Sequence, residues 1–147
     1  MRTPEMLLFT YPVKLARDRK AGGYVATSRD LPEAISQGET VKEALAQAEG
    51  AIQAAIEGRI EDGLDIPVPS QATPVERMVS TPITTALKAA VYVAMREQKV
   101  SKSELARRMR VQEKEARRML DPNHPTKVPT LERALAVLGR RAGIAVS

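Results

Sequence analysis

Three prolines, Pro67, Pro69 and Pro74, interrupt the chain near its middle, in the stretch Asp65-Ile66-Pro67-Val68-Pro69-Ser70-Gln71-Ala72-Thr73-Pro74. Each removes a backbone donor and fixes φ, so neither a helix nor a central strand can run through this stretch. The chain must therefore fold as two pieces joined by an extended connector at about residues 65–74. The apolar–polar alternation of Val75 to Val79 predicts a short strand at about 75–79, which moves the boundary to residue 80. The expected domains are 1–80 and 81–147.

Charge divides at the same place. Residues 1–80 carry 9 lysines and arginines against 12 acids, a net −3, whereas residues 81–147 carry 14 against 6, a net +8. A basic piece attracts phosphate backbones over a Debye length, about 8 Å at physiological ionic strength, and an acidic piece suits a basic protein partner. The longest apolar run, Ala89 to Met95, is seven residues, far short of the roughly 20 that a membrane-spanning helix needs. The apolar cluster Met6 to Phe9 is too short for a secretory signal. A cytoplasmic protein without a membrane partner is expected. With no cysteine, a disulfide framework, a thiolate metal site and a thiol nucleophile are excluded.

In the front half, Leu7, Phe9, Tyr11, Val13 and Leu15 alternate as one buried face of a strand. A polar loop from Arg17 to Gly23 leads to a returning strand over Tyr24 to Ser28, and the two make a hairpin. Ala34 to Gln37 adds a third strand. Thr40 and Glu43 form a Thr-x-x-Glu capping box that opens a helix, whose buried stripe is Val41, Leu45, Ala48, Ile52 and Ile56 and whose terminator is Gly63. The half reads β-β-β-α-β.

The rear half is helical. Ile83, Leu87, Val91 and Ala94 or Met95 mark a first helix that ends at Lys99-Val100. Ser101 and Glu104 form a second capping box. Pro122 and Pro125 stop the third helix, Thr130 caps a fourth built on Leu131, Leu135 and Leu138, and Gly143 ends regular structure. Ile144 to Val146 is expected to form a last short strand that pairs with another copy.

Lys102 to Asp121 carries the function. Leu105, Ala106, Met109, Val111, Ala116 and Met119 are spaced as helix, turn, helix, with the small Ala106 at the crossing. The second helix keeps Gln112, Lys114, Arg117 and Arg118 on its other side, donors long enough to reach base edges in a major groove. Lys102 and Ser103 before it, with Thr126 and Lys127 after it, suit flanking phosphates. The turn places Arg110 where glycine is usual, at a cost of about 1 kcal/mol for a left-handed backbone. A single recognition helix buries too little to discriminate among genomic sites, so a dimer is expected.

Catalytic constellations are missing. The single histidine, His124, lies in a proline-bracketed loop and reads as a loop or phosphate-proximal residue rather than a base. The leading strand has no acid, and the acids that remain sit in turns, caps and helix ends, where they favour helix N-termini and solvent. No P-loop, Rossmann glycine pattern or nucleophile elbow occurs. Neither catalytic residues, a metal site nor a cofactor is expected.

Read in order, Tyr11-Pro12-Val13, Gly22-Gly23-Tyr24, Asp30-Leu31-Pro32-Glu33-Ala34, Gln37-Gly38-Glu39-Thr40, Glu43-Ala44, Glu61-Asp62 and Ile66-Pro67-Val68-Pro69-Ser70 resemble the HicB antitoxins. Ser103-Glu104-Leu105-Ala106-Arg107-Arg108 and Thr126-Lys127 are similar to the subgroup that carries a helix-turn-helix. The resemblance implies an α+β protein: a partial RNase H-like domain that has lost catalysis, followed by an all-α helix-turn-helix domain. It also implies two partners. One is a HicA-type toxin, a small basic ribonuclease, for which Asp30, Glu33, Glu61, Asp62 and Asp65 are the candidate contacts. The other is operator double-stranded DNA of its own operon, bound and repressed as a homodimer or higher homo-oligomer. The competing readings are a one-component transcriptional regulator with a small-ligand-sensing front domain, and a nuclease acting through the acidic residues.

Overall fold

A computed structural model describes residues 9–146. The fold is mixed α+β, in the order β1 (Thr10–Arg17), β2 (Tyr24–Thr27), β3 (Ile35–Gly38), α1 (Val41–Asp62), β4 (Glu76–Ser80), α2 (Ile83–Gln98), α3 (Lys102–Met109), α4 (Glu113–Leu120) and α5 (Val128–Val137). Two compact units divide it. The first comprises residues up to Ile56 and Pro67–Pro82; the second comprises Glu57–Ile66 and everything from Ile83. The last turns of α1 thus group with the helices, and the helix itself is continuous.

The first unit is a four-stranded antiparallel sheet of order β3-β2-β1-β4. Pairing Tyr11 with Val79 and Leu15 with Ala26 puts Tyr11, Val13, Ala26 and Val79 on one face, and all four are buried. Phe9 and Leu15 are only half-buried; Leu7, also expected on this face, lies outside the described residues. Thr40 caps α1 as expected, its Oγ1 accepting from the Glu43 N–H at 3.1 Å. The buried stripe keeps Ala48, Ile52 and Ile56 as expected but differs at its start. Ala44, Ala48, Ile52, Ala55 and Ile56 are buried, whereas Val41 and Leu45 are half-buried. Close approach selects the small residues: a Cβ on Gly38 would meet the Ala44 backbone nitrogen at 2.4 Å.

The connector is a strap, tied within the first unit at three points. Tyr11 donates its hydroxyl to Pro67 O at 2.8 Å, Asp30 accepts two hydrogen bonds from Ser70, and Arg29 Nη2 donates to Gln71 O at 2.6 Å. Arg29 also holds both oxygens of Glu76 at 3.0 Å. That guanidinium, with the Thr73 N–H beside it, pulls the Glu76 carboxyl down to about 2.

In the second unit α2 buries Ala89, Val91, Tyr92, Ala94 and Met95, together with Thr85 and Lys88. Val91, Ala94 and Met95 are buried as expected, whereas Ile83 is 53% exposed and Leu87 is half-buried, so the stripe departs from the expected one in the first turns. The Tyr92 hydroxyl donates to Leu64 O at 2.7 Å, and Arg96 pairs with Asp65 at 2.8 Å while lying over the Tyr92 ring at 5.5 Å. These contacts fasten the end of α1 to α2.

Four helices end alike. At Gly63, Lys99, Arg110 and Gly139 a left-handed residue reverses the chain. The following N–H reaches five residues back, as in Leu64 N to Arg59 O and Val111 N to Ala106 O, a Schellman closure. Two rear-half expectations fail. Thr130 lies inside α5, whose N-cap is Lys127, three residues before the expected cap, with Pro129 in the first turn; proline's preset φ and missing donor suit that first turn. Regular structure ends at Gly139, before Gly143. Within the single chain Ile144 to Val146 belong to no helix or strand; the expected pairing is with another copy.

Candidate functional site

The site is built from the caps inward. Ser101 Oγ accepts from the Glu104 N–H at 3.1 Å and so opens α3 as its sequence predicts. Arg110 closes it at φ 59°, ψ 44°, the left-handed conformation expected there. Leu105, Ala106 and Met109 of α3 and Ala116, Met119 and Leu120 of α4 are buried. This burial turns α4 so that Gln112, Lys114, Arg117 and Arg118 are all exposed.

Carboxylates temper this face. Glu113 Oε1 accepts from Arg117 Nη2 at 2.7 Å, one turn away. Glu104 pairs with Arg107 and also with Arg108, the latter at 3.1 Å. Such exposed pairs contribute ~0.2–1 kcal/mol, little enough for a phosphate or a base edge to take the cation over. Lys102 and Ser103 are exposed at the start of α3, and Lys127 is exposed at the start of α5. Thr126 is half-buried, its hydroxyl donating to His124 O at 3.4 Å. Lys102 and Arg117 also border a cavity of about 340 Å³ with Glu61 and Asp121.

Behind the α4–α5 loop lies Lys88, 4% exposed. Its Nζ donates to Asp121 O at 2.6 Å and to His124 O. Burial pushes its pKa down, and the nearby charges of Asp121 and Glu57 oppose that shift. Sequence reading missed this lysine, since periodicity alone does not separate a buried cation from a solvated one.

The five acids expected to meet a toxin fall in two places. Asp30 and Glu33 belong to the β2–β3 loop of the first unit; Glu61 and Asp62 at the end of α1, and Asp65 just after it, belong to the second. Asp30 is engaged by Ser70 and Asp65 by Arg96. Glu33, Glu61 and Asp62 are exposed. Among the described residues no three histidines or acids are grouped to hold a metal ion, and no helix is long and apolar enough to cross a membrane.

Comparison with known proteins now bears on the whole chain. A family model described as the HicB-like antitoxin of bacterial toxin–antitoxin systems matches residues 10–90. The Escherichia coli (strain K12) protein named Antitoxin HicB is 33% identical over 134 residues, 91% of this chain and 96% of that relative. Antitoxin HicB 2 of Photorhabdus laumondii is 36% identical over 130 residues, covering 88% and 91%. Antitoxin HicB of Pseudomonas fluorescens is 31% identical over 141 residues, covering 95% of each. The chain belongs to the HicB-like antitoxin family.

Within this HicB-like chain the family match spans the sheet, α1, the strap and the start of α2. Similarity to the relatives continues through most of the rest. The resemblance read from short motifs thus holds at the level of the family, and the role it supports is that of an antitoxin in a toxin–antitoxin pair.

Proposed function

We propose that this chain binds and neutralises a HicA-type, mRNA-cleaving toxin through its front domain and represses its own toxin–antitoxin operon by binding operator DNA through α3 and α4. The front domain is read as a partial RNase H-like fold without catalysis, which the β-β-β-α-β order and the acid-free β1 support. The rear domain is read as a helix-turn-helix. The observation that carries this reading is the one-sidedness of α4: Ala116, Met119 and Leu120 are buried while Gln112, Lys114, Arg117 and Arg118 face outward. That is the division a groove-reading helix needs.

Lys102, Ser103, Thr126 and Lys127 supply the flanking phosphate contacts, and a homodimer or larger homo-oligomer supplies the second half-site. The candidate toxin contacts are Asp30 and Glu33 of the first unit and Glu61, Asp62 and Asp65 of the second; all but the half-buried Asp30 are exposed. The protein acts in the cytoplasm, and its work is binding rather than chemistry.

The test is co-expression with the product of the neighbouring reading frame. The expected result is that this product arrests growth alone, is harmless beside this chain and copurifies with it. Absence of a complex at micromolar concentration would end the toxin half of the reading. A duplex carrying the promoter of the same operon, compared with random duplex at moderate salt, tests the other half.

A further inference from the structure

We propose that Lys88 is a positioning residue for duplex binding: from inside the helical unit its ammonium gathers the α4–α5 loop and so aims Thr126 and Lys127 at the duplex that α4 reads. The inference deepens the operator-binding reading and rests on it.

The geometry is specific. Lys88 stands on the buried face of α2, beside Ala89, Val91 and Tyr92. Its two acceptors are backbone carbonyls of one short loop: Asp121, which is the C-cap of α4, and His124, whose carbonyl also accepts from Thr126 Oγ1. Pro122 and Pro125 lie in that loop and bring carbonyls without N–H groups, so the loop has surplus acceptors. An ammonium offers three donors and no acceptor, and its charge complements the carboxyl end of a helix. One group therefore ties the end of α4 to the segment that opens α5 at Lys127.

Packing alone does not account for a lysine here. An unbranched apolar side chain of similar length would fill the space without desolvating a charge. What the ammonium adds is direction: the carbonyls of residues 121 and 124 are drawn inward, while Asp121, Asn123, Pro125 and Lys127 stay exposed and Thr126 half-buried. Lys127, the N-cap of α5, is exposed there.

The experiment uses the full chain and a duplex carrying the promoter of its own operon, with the dissociation constant measured against sodium chloride concentration. Lys88→Met is expected to fold, to bind about tenfold more weakly, and to lower the log–log salt slope by about one phosphate contact, although Lys88 itself is shielded from solvent. Lys127→Ala is expected to lower the slope equally, and the double variant no further. A wild-type slope in Lys88→Met, or additive losses in the double variant, would overturn the proposal. Should Lys88→Met fail to fold, Lys88→Gln, which keeps an uncharged donor, gives the same comparison. Amide hydrogen exchange at residues 123–127, excluding the proline, needs no DNA and is expected to quicken about tenfold in either variant; unchanged exchange would also overturn it. A wild-type chain without salt-dependent affinity for the duplex would overturn the operator reading and this inference together. The exchange measurement tells that failure from one confined to Lys88.

Discussion

Asp30 holds Ser70 with both carboxylate oxygens, Oδ2 accepting the backbone N–H at 2.9 Å and Oδ1 the hydroxyl at 2.5 Å. The two residues are forty positions apart in sequence, and the contact turns a proline-rich connector into part of the front unit. Asp30→Ala is expected to destabilise the chain by about 1–3 kcal/mol, the cost of leaving partly buried donors unmatched. Asp30→Asn keeps one acceptor and is expected to lose less. Urea unfolding measures both, and faster protease cleavage near Ser70 in Asp30→Ala reports release of the strap.

The Arg29–Glu76 pair gives the strap a pH dependence. The Arg29 hydrogen bonds, ahead of the Thr73 N–H, hold the Glu76 carboxyl at about 2. A carboxyl depressed on folding contributes stability that is fully present above its unfolded value and is lost as pH falls through its folded value. The advantage of wild type over Glu76→Gln should therefore be level from neutral pH to about 5, shrink below roughly 4.5 and vanish near 2. Urea midpoints of the two proteins across this range check it. A difference that persists unchanged at pH 2 would mean that the pair is not responsible.

Arg110 and Lys99 occupy left-handed backbone at φ 59° and φ 56°. Arg110→Gly and Lys99→Gly should each stabilise the folded chain by up to about 1 kcal/mol, because glycine removes the Cβ strain that outweighs its extra unfolded-state entropy. Thermal unfolding reads the change, and a lower midpoint in both variants would contradict the Schellman closures described above.

Gly38 has the opposite character. Its Cβ would lie 2.4 Å from the Ala44 nitrogen and 2.8 Å from the Glu43 carbonyl carbon, both backbone atoms of α1. Gly38→Ala must push the helix off the strand, and a loss of about 1–3 kcal/mol is expected from overpacking. Gly50→Ala is the control, since nothing lies within 4 Å of a Cβ there; helix propensity should make it neutral or slightly stabilising.

Arg117 lies in an i,i+4 pair with Glu113. Arg117→Ala should weaken operator binding by roughly 1–3 kcal/mol and leave toxin binding unchanged. Glu113→Gln releases the same guanidinium and removes a negative charge from the face, so tighter binding at low salt is expected. Fluorescence anisotropy with operator duplex and calorimetry with toxin check these together. Equal loss of both activities in Arg117→Ala would show that the halves do not act separately.

The element order, the caps at Thr40 and Ser101, the terminator Gly63 and the left-handed strain at Arg110 were legible in the sequence. Each is decided within a few residues: a hydroxyl three positions before a free N–H, a side chain forced against its own carbonyl, a proline that cannot donate. The motif series also sufficed to place the chain in its antitoxin family, because order and spacing survive where identity is about a third. Tertiary structure alone decided the rest. It withdrew Ile83 and Leu87 from the core face of α2 and set Ala44, rather than Val41 or Leu45, against Gly38. It also sorted equal charges into unequal roles: Asp30 binds the strap while Glu33 is exposed, and Lys88 is enclosed while Lys114 is solvated. Those outcomes depend on partners some thirty to forty positions away, and local pattern carries no record of which distant carbonyl or carboxylate a side chain will meet.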